Sequence, residues 1–287
     1  KPFFHALPGA KALSFGMLGC DFHCKNCQNW VTSQALRDPA SETAGARPED
    51  ITPKQFVDLA FRHGATIVTS TYNEPLITSE WAVDIFREAR ARGLVTSYVS
   101  NGNGTREVLE FIRPWVDLYK VDLKGFNDAN YRRVLGGVLQ HVLDTIPMLV
   151  EMGFWTEIVT LVIPGFNDSD EELKGIANFL AGVSKDLPWH VTAFHKDYKM
   201  TAPDNTPTGT LFRAAEIGAA AGLRYIYAGN LPGQVGRWEH TYCPGCGKAL
   251  IERSGYKIIK NILKEGACPS CATRIPGVWK VPTSSVA

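Results

Sequence analysis

Cys20, Cys24 and Cys27 follow the spacing Cx3Cx2C, which lets a single loop deliver three thiolates to one centre. Thiolates are the protein's ligands for iron–sulfur clusters. Three of them leave one iron of a four-iron cube open, and an open metal position is where a small molecule binds and reacts. The competing reading of the trio is a zinc ion with His23 as its fourth ligand. Four further cysteines form two CPxC knuckles, Cys243 with Cys246 and Cys268 with Cys271. Four thiolates so arranged read as a zinc ribbon, in which the metal holds a small domain together. Mononuclear iron or an auxiliary iron–sulfur cluster would use the same ligands, and His240 reads as a flanking residue rather than a ligand. No cysteine lies between Cys27 and Cys243, a distribution unlike a disulfide framework. Two metal centres imply a reducing compartment, so the expectation is a cytoplasmic protein.

The elements that must hold these groups are legible as an alternation. Strands are predicted at Ala12–Met17, Thr66–Thr71, Val95–Ser100, Leu118–Leu123, Glu157–Ile163, Val191–Phe194 and Tyr225–Ala228. Amphipathic helices are predicted between them, at Pro53–Arg62, Glu80–Arg92, Arg106–Phe111, Val138–Met152 and Asp170–Leu180. Such an order implies a parallel sheet wound right-handedly, either open or a barrel. Polar residues follow the strands: the cysteine trio, Tyr72-Asn73-Glu74-Pro75, Asn101-Gly102-Asn103-Gly104, Asp122-Leu123-Lys124, Pro164-Gly165 and His195. Ligands bind at the carboxyl ends of strands in these folds, so the chemistry converges on one face. The alternation ends after Gly236, which divides the chain into a domain over 1–236 and a four-cysteine domain over 237–287; Ala40–Asp50 reads as a polar loop. The chain of 287 residues carries a formal charge of +1, a balance that argues against an extensive nucleic-acid footprint. It has no apolar run of about 18 residues to span a membrane and no charged-then-apolar leader.

The trio and its flanks, LSFGMLGCDFHCKNCQNW, resemble the radical S-adenosylmethionine (SAM) superfamily, in the branch of the pyruvate formate-lyase activating enzymes. The segments YNEP, SNGN, YKVDLK, IPGFNDS and WHVTAFHKDYKM, with the CPxC knuckles, are similar to the radical SAM member of the AmmeMemoRadiSam system. The resemblance implies a partial (β/α)6 TIM-like barrel carrying a 4Fe-4S cluster on Cys20, Cys24 and Cys27. It implies SAM chelated at the open iron and cleaved by one electron to a 5′-deoxyadenosyl radical. By the same resemblance, Glu74 meets the SAM amino group, Ser100 and Asn101 face its methionine and ribose, and Lys124, oriented by Asp122, pairs with its carboxylate. Pro164 with Gly165 lies by the adenine, and His195 near the carboxylate or ribose. Four positions depart from the pattern. Asn26 replaces an aromatic residue before the third cysteine, with Phe22 or Ile163 left to face the adenine. Tyr72 and Asn73 replace two glycines, and Val99 replaces an acid associated with a cation site.

Each role has a plain structural alternative: Glu74 as a helix-start acid, Lys124 as a solvated rim charge, His195 as a structural histidine. Candidates for the substrate face are Tyr198, Lys199, Arg132, Arg133, Arg237 and Trp238. The function expected is hydrogen abstraction from a protein, peptide or small molecule, with glycyl-radical activation as a subclass. An RNA-modifying enzyme is the alternative, its ribbon gripping RNA through Arg253, Lys257, Lys260 and Lys264; a non-catalytic metal-binding protein is the third reading. The resemblance implies a flavodoxin- or ferredoxin-like reductant, and MEMO-like and AMMECR-like companions.

Overall fold

The computed structural model describes residues 3–45 and 47–281. Seven strands form one parallel sheet in chain order: β1 (Ala12–Phe15), β2 (Ile67–Ser70), β3 (Val95–Ser100), β4 (Leu118–Asp122), β5 (Trp155–Val162), β6 (Trp189–Ala193) and β7 (Ile226–Gly229). Each pairs with the next, while β1 and β7 remain as edges, so the sheet curls into a partial barrel without closing. The fold is mixed α/β, and the seven strand runs expected from the sequence are all present.

Side chains alternate between two faces, as strand geometry requires. Val68, Tyr98, Tyr119, Val121, Ile158, Trp189 and Val191 turn outward into the main core beneath the helices. Ile67, Val95 and Leu118 turn inward and meet Ala6, with Phe3, Leu7 and Val278 packed beside them. The helices begin where the sequence signals a start. Thr52 and Gln55 close a capping box ahead of Pro53–Arg62, and Ser169 accepts from the Glu172 backbone N–H ahead of Asp170–Val183.

Two stretches differ from expectation. The start of the stretch Ala40–Asp50, read as a polar loop, belongs to a short helix, Pro39–Thr43, after the cysteine segment; Ala46 of the same stretch lies outside the described residues. A helix over Thr208–Ala220 carries little amphipathic signal because its buried face is Leu211, Ala214, Ala215 and Gly218. A Cβ on Gly218 would sit 2.9 Å from the Trp189 ring, so a small residue is what lets this helix dock. Among the described residues no single helix is long and apolar enough to cross a membrane.

Beyond the barrel, β8 (Thr241–Tyr242), β9 (Ala249–Ser254) and β10 (Lys257–Asn261) form an antiparallel sheet in the order β10-β9-β8. Leu250, Ile251, Cys243, Cys268 and Ile275 pack on Tyr225 and Tyr227 at the start of β7. The amino-terminal segment is strapped to this region: Leu7 N–H donates to Val278 (2.9 Å) and Val278 N–H to His5 (2.8 Å).

Candidate active site

The loop after β1 carries Cys20, Cys24 and Cys27 into the carboxyl end of the barrel, where all three line a cavity of about 820 Å3 with Glu74, Ser100, Asn101, Asp122 and Lys124. Close approach makes this possible: a Cβ on Gly16 would lie 2.4 Å from the Thr71 carbonyl, and Met17 N–H donates to Asn73 Oδ1 (3.1 Å). Tyr72 is held at φ 77° in this turn, a left-handed conformation that costs a bulky residue energy and turns it toward the rim.

Burial pushes the Cys20 thiol well up, helped by the nearby Glu74 and Asp21 charges. Burial also pushes Cys24 up, to about 11, although the Lys124 ammonium pulls the other way. Cys27 Sγ lies 3.1 Å from the Ser33 hydroxyl. Asp21 fixes the loop, its carboxylate accepting from Phe22 N–H (2.9 Å), Asn101 Nδ2 (2.7 Å) and Asn103 Nδ2 (2.8 Å). Sequence reasoning missed Asp21 and gave Asn103 no role beyond its place in the polar run after the third strand; an acid inside the trio has no spacing signal of its own.

Glu74 is 1% exposed and accepts from Ser100 Oγ (2.7 Å), Asn101 N–H (2.6 Å) and Leu76 N–H (3.0 Å). Burial, and then the Asp21 charge, raises its pKa to about 8 despite these bonds. No described residue forms an ion pair with it, so a ligand ammonium in the cavity would favour its ionised form and pair with it. Across the cavity Lys124 Nζ lies 3.0 Å from Asp122. Burial alone would lower the lysine, but Asp122 and Cys24 overcome it and hold the ammonium charged. Asn167 joins this tip to the next, donating to Lys124 O (2.8 Å) and Leu161 O (2.9 Å) and accepting from Ile163 N–H (2.7 Å).

Other expected residues stand apart. Pro164 is half-buried but does not line the cavity. His195 is exposed: its Nε2 lies 2.9 Å from Gln28 Nε2, and it borders a surface depression with Lys196, Asp204 and Asn205. Phe22 lines the cavity, whereas Asn26 is buried with its Oδ1 lacking a partner among the described residues. Tyr198 and Lys199 both bind Asp38, Arg132 and Arg133 are exposed and held by Asp128 and Asn130, and Arg237 lies over Trp238 and Tyr242. None of these six lines the cavity.

The two cysteine sets differ in their geometry. All four sulfurs of Cys243, Cys246, Cys268 and Cys271 lie within 4.8 Å of one another, two pairs being at 3.4 and 3.7 Å. Zinc–sulfur bonds of about 2.3 Å in a tetrahedron put sulfurs about 3.8 Å apart, so this set fits one ion. His240 Nδ1 instead accepts from Arg253 N–H (3.2 Å). The amino-terminal trio is not drawn together in this way. His23 is exposed, its ring packed where a Gly136 Cβ would be, and it does not line the cavity. Three sulfurs facing a cavity, with no fourth ligand from His23, suit a bulkier group with one open metal position better than they suit a lone zinc ion.

Comparison with known proteins agrees with this geometry. Residues 16–180 match the radical SAM superfamily. An uncharacterized protein of Methanocaldococcus jannaschii is 34% identical over 96% of this chain and 80% of its own length. The pyruvate formate-lyase 1-activating enzyme of Escherichia coli is 25% identical over 66% of this chain and 78% of its own. Streptococcus suis SuiB, solved bound to S-adenosylmethionine, superposes with a TM-score of 0.61 at 11% identity, over 84% of this chain and 55% of that one, a likeness of fold. The chain belongs to the radical SAM superfamily: it is an enzyme related to the pyruvate formate-lyase activating enzymes.

Proposed function

We propose that this enzyme cleaves SAM reductively and uses the resulting radical to take hydrogen from a protein, peptide or small-molecule substrate. The observation that carries the reading is the pairing, around one cavity, of three cysteines with a buried carboxyl group that has no ion-pair partner among the described residues and a charged lysine. A 4Fe-4S cluster and SAM, when bound, supply one-electron cleavage of the S–C5′ bond to methionine and a 5′-deoxyadenosyl radical. Cys20, Cys24 and Cys27 would hold the cluster, three thiolates being one too few to ligate all four irons. Glu74, fixed by Ser100 and Asn101, accepts the SAM ammonium. Lys124, oriented by Asp122, attracts the carboxylate, and opposite charges at the two sides of the cavity set the direction in which an amino acid lies. Pro164 by the adenine, and His195 by the carboxylate or ribose, are roles carried over from the resemblance, since both residues lie outside the cavity walls.

Cys243, Cys246, Cys268 and Cys271 bind zinc in this reading and stabilise residues 237–287 as a ribbon beside a barrel over 1–236. A flavodoxin- or ferredoxin-like reductant supplies the electron in the cytoplasm, and MEMO-like and AMMECR-like proteins are candidate companions. Glycyl-radical activation is the subclass favoured by the similarity to activating enzymes. The test is anaerobic incubation with SAM, reductant and deuterated candidate substrates. Deuterium appearing in 5′-deoxyadenosine identifies the hydrogen donor; SAM cleavage without label from any candidate protein or peptide argues for a small molecule.

A further inference from the structure

The cavity does not stop at the cysteines. It runs down the barrel past Ser14 and Thr69 to a floor made by the amino-terminal strap and the β9–β10 hairpin, where Phe4, Arg253 and Tyr256 line it. Read from sequence, Arg253 belonged to a basic outer edge of the ribbon. The structure corrects this. Arg253 is 2% exposed, because its face of β9 is the one docked on the barrel, whereas Lys257, Lys260 and Lys264 remain outside.

A buried guanidinium stays charged, and buried charges are normally paired. Arg253 has no carboxylate partner among the described residues. Its Nη1 donates to Thr241 Oγ1 (2.8 Å) and the Glu239 carbonyl (3.4 Å), its Nη2 to the Phe4 carbonyl (3.0 Å), and it stacks 4.3 Å over the Phe4 ring. Three of five N–H donors are thereby placed, and the rest, including Nε–H, are unassigned. The Glu239 carboxylate is turned to Gly233 N–H instead (2.8 Å).

The one buried carboxylate that attracts Arg253, Glu157, does so from beyond ion-pair distance and is already engaged elsewhere. Glu157 is fully buried and paired with Lys120 at 3.4 Å, and it also accepts from His190 Nε2 (2.7 Å), His5 N–H (2.9 Å), Phe4 N–H (3.0 Å) and Trp155 Nε1 (3.1 Å). Burial holds His5 and His190 down to about 4 and about 3, so both are neutral. His5 donates from Nδ1 to the Pro276 carbonyl (2.7 Å) and accepts at Nε2 from the Tyr227 hydroxyl (2.6 Å). Among the described residues the floor thus carries one positive charge in excess, on a side chain that lines the cavity.

We propose that Arg253 is the anchor for an oxyanion, a carboxylate or phosphate, of a small substrate that lies along the barrel with its other end toward the cysteines. This rests on the function proposed above and adds a substrate class. The ribbon, on this view, completes the substrate site as well as folding around its metal.

The test uses the reconstituted full chain with saturating SAM, so that the upper end is filled. Binding of radiolabelled inorganic phosphate and of succinate at millimolar concentration is measured by equilibrium dialysis. Saturable binding of one anion per chain, weakened tenfold or more in Arg253→Met and retained within a few-fold in Arg253→Lys, is expected. Phosphate binding alone identifies a phosphorylated substrate and succinate binding alone a carboxylate. Tyr256→Glu, an exposed residue on the same wall, places a negative charge there without disturbing the Arg253 bonds and should weaken binding several-fold. Binding of neither anion, or binding unaffected by Arg253→Met and Tyr256→Glu, overturns the proposal. 5′-Deoxyadenosine formation in the same samples reports separately on SAM cleavage: anion binding without cleavage refutes the proposed function, and cleavage without anion binding refutes only the anchor.

Discussion

At the scale of single residues, Glu74 is where the electrostatics are most lopsided. A carboxyl raised from its ordinary value to about 8 by burial keeps its proton in the folded protein while losing it in the unfolded chain. Between about pH 4.5 and 8 the folded state then binds one more proton, so stability falls as pH rises, by about 1.4 kcal/mol per unit. Thermal unfolding of the SAM-free protein should show this slope, and Glu74→Gln should flatten it. The same variant removes a charge-assisted bond to an ammonium, a loss of about 1.5–3 kcal/mol. SAM affinity measured by dialysis should therefore fall about tenfold to a hundredfold; an unchanged affinity would take Glu74 out of the SAM site.

At the scale of elements, the site depends on strand tips being held in register with one another. Asn167 does this between β4 and β5 with three buried hydrogen bonds. Asn167→Ala strands those backbone groups and should cost about 2–4 kcal/mol in urea denaturation, because buried polar groups left unpaired lose their water without replacement. Most of the strand ends were legible in the sequence, since short β-branched runs followed by polar residues announce both an element and its functional end. Helix starts at Thr52 and Ser169 were legible for the same reason, a short-range chemical signal. What escaped depends on partners distant in sequence. The Thr208–Ala220 helix docks through alanine and glycine against Trp189, a contact no periodicity reveals. Arg253 looked like a surface cation because alternation along β9 states that faces differ, not which face meets the barrel. His195 and Pro164 were singled out because they follow predicted strands and were given roles by resemblance, and the cavity walls do not include them.

At the scale of the whole molecule, the barrel, the amino-terminal strap and the four-cysteine segment share one interior. Tyr225 and Tyr227 of the barrel pack with Cys243, Cys268 and Ile275, and Arg253 reaches Phe4. If the four cysteines hold a metal as proposed, stripping it should therefore do more than loosen a tail. Elemental analysis is expected to give one zinc per chain besides cluster iron, and Cys271→Ser should lose the zinc and lower the melting temperature by at least several degrees. A variant that loses zinc and melts like the wild type would make the ribbon an independent appendage. The account as a whole stands on the amino-terminal trio holding an iron–sulfur cluster with one open position for SAM. The most direct measurement is the yield of 5′-deoxyadenosine and methionine when anaerobically reconstituted protein is reduced in the presence of SAM. Equal amounts of both from the wild type, and neither from Cys24→Ala, are predicted; no 5′-deoxyadenosine from wild-type protein with its full complement of iron and sulfide, or an undiminished yield from Cys24→Ala, would contradict the account.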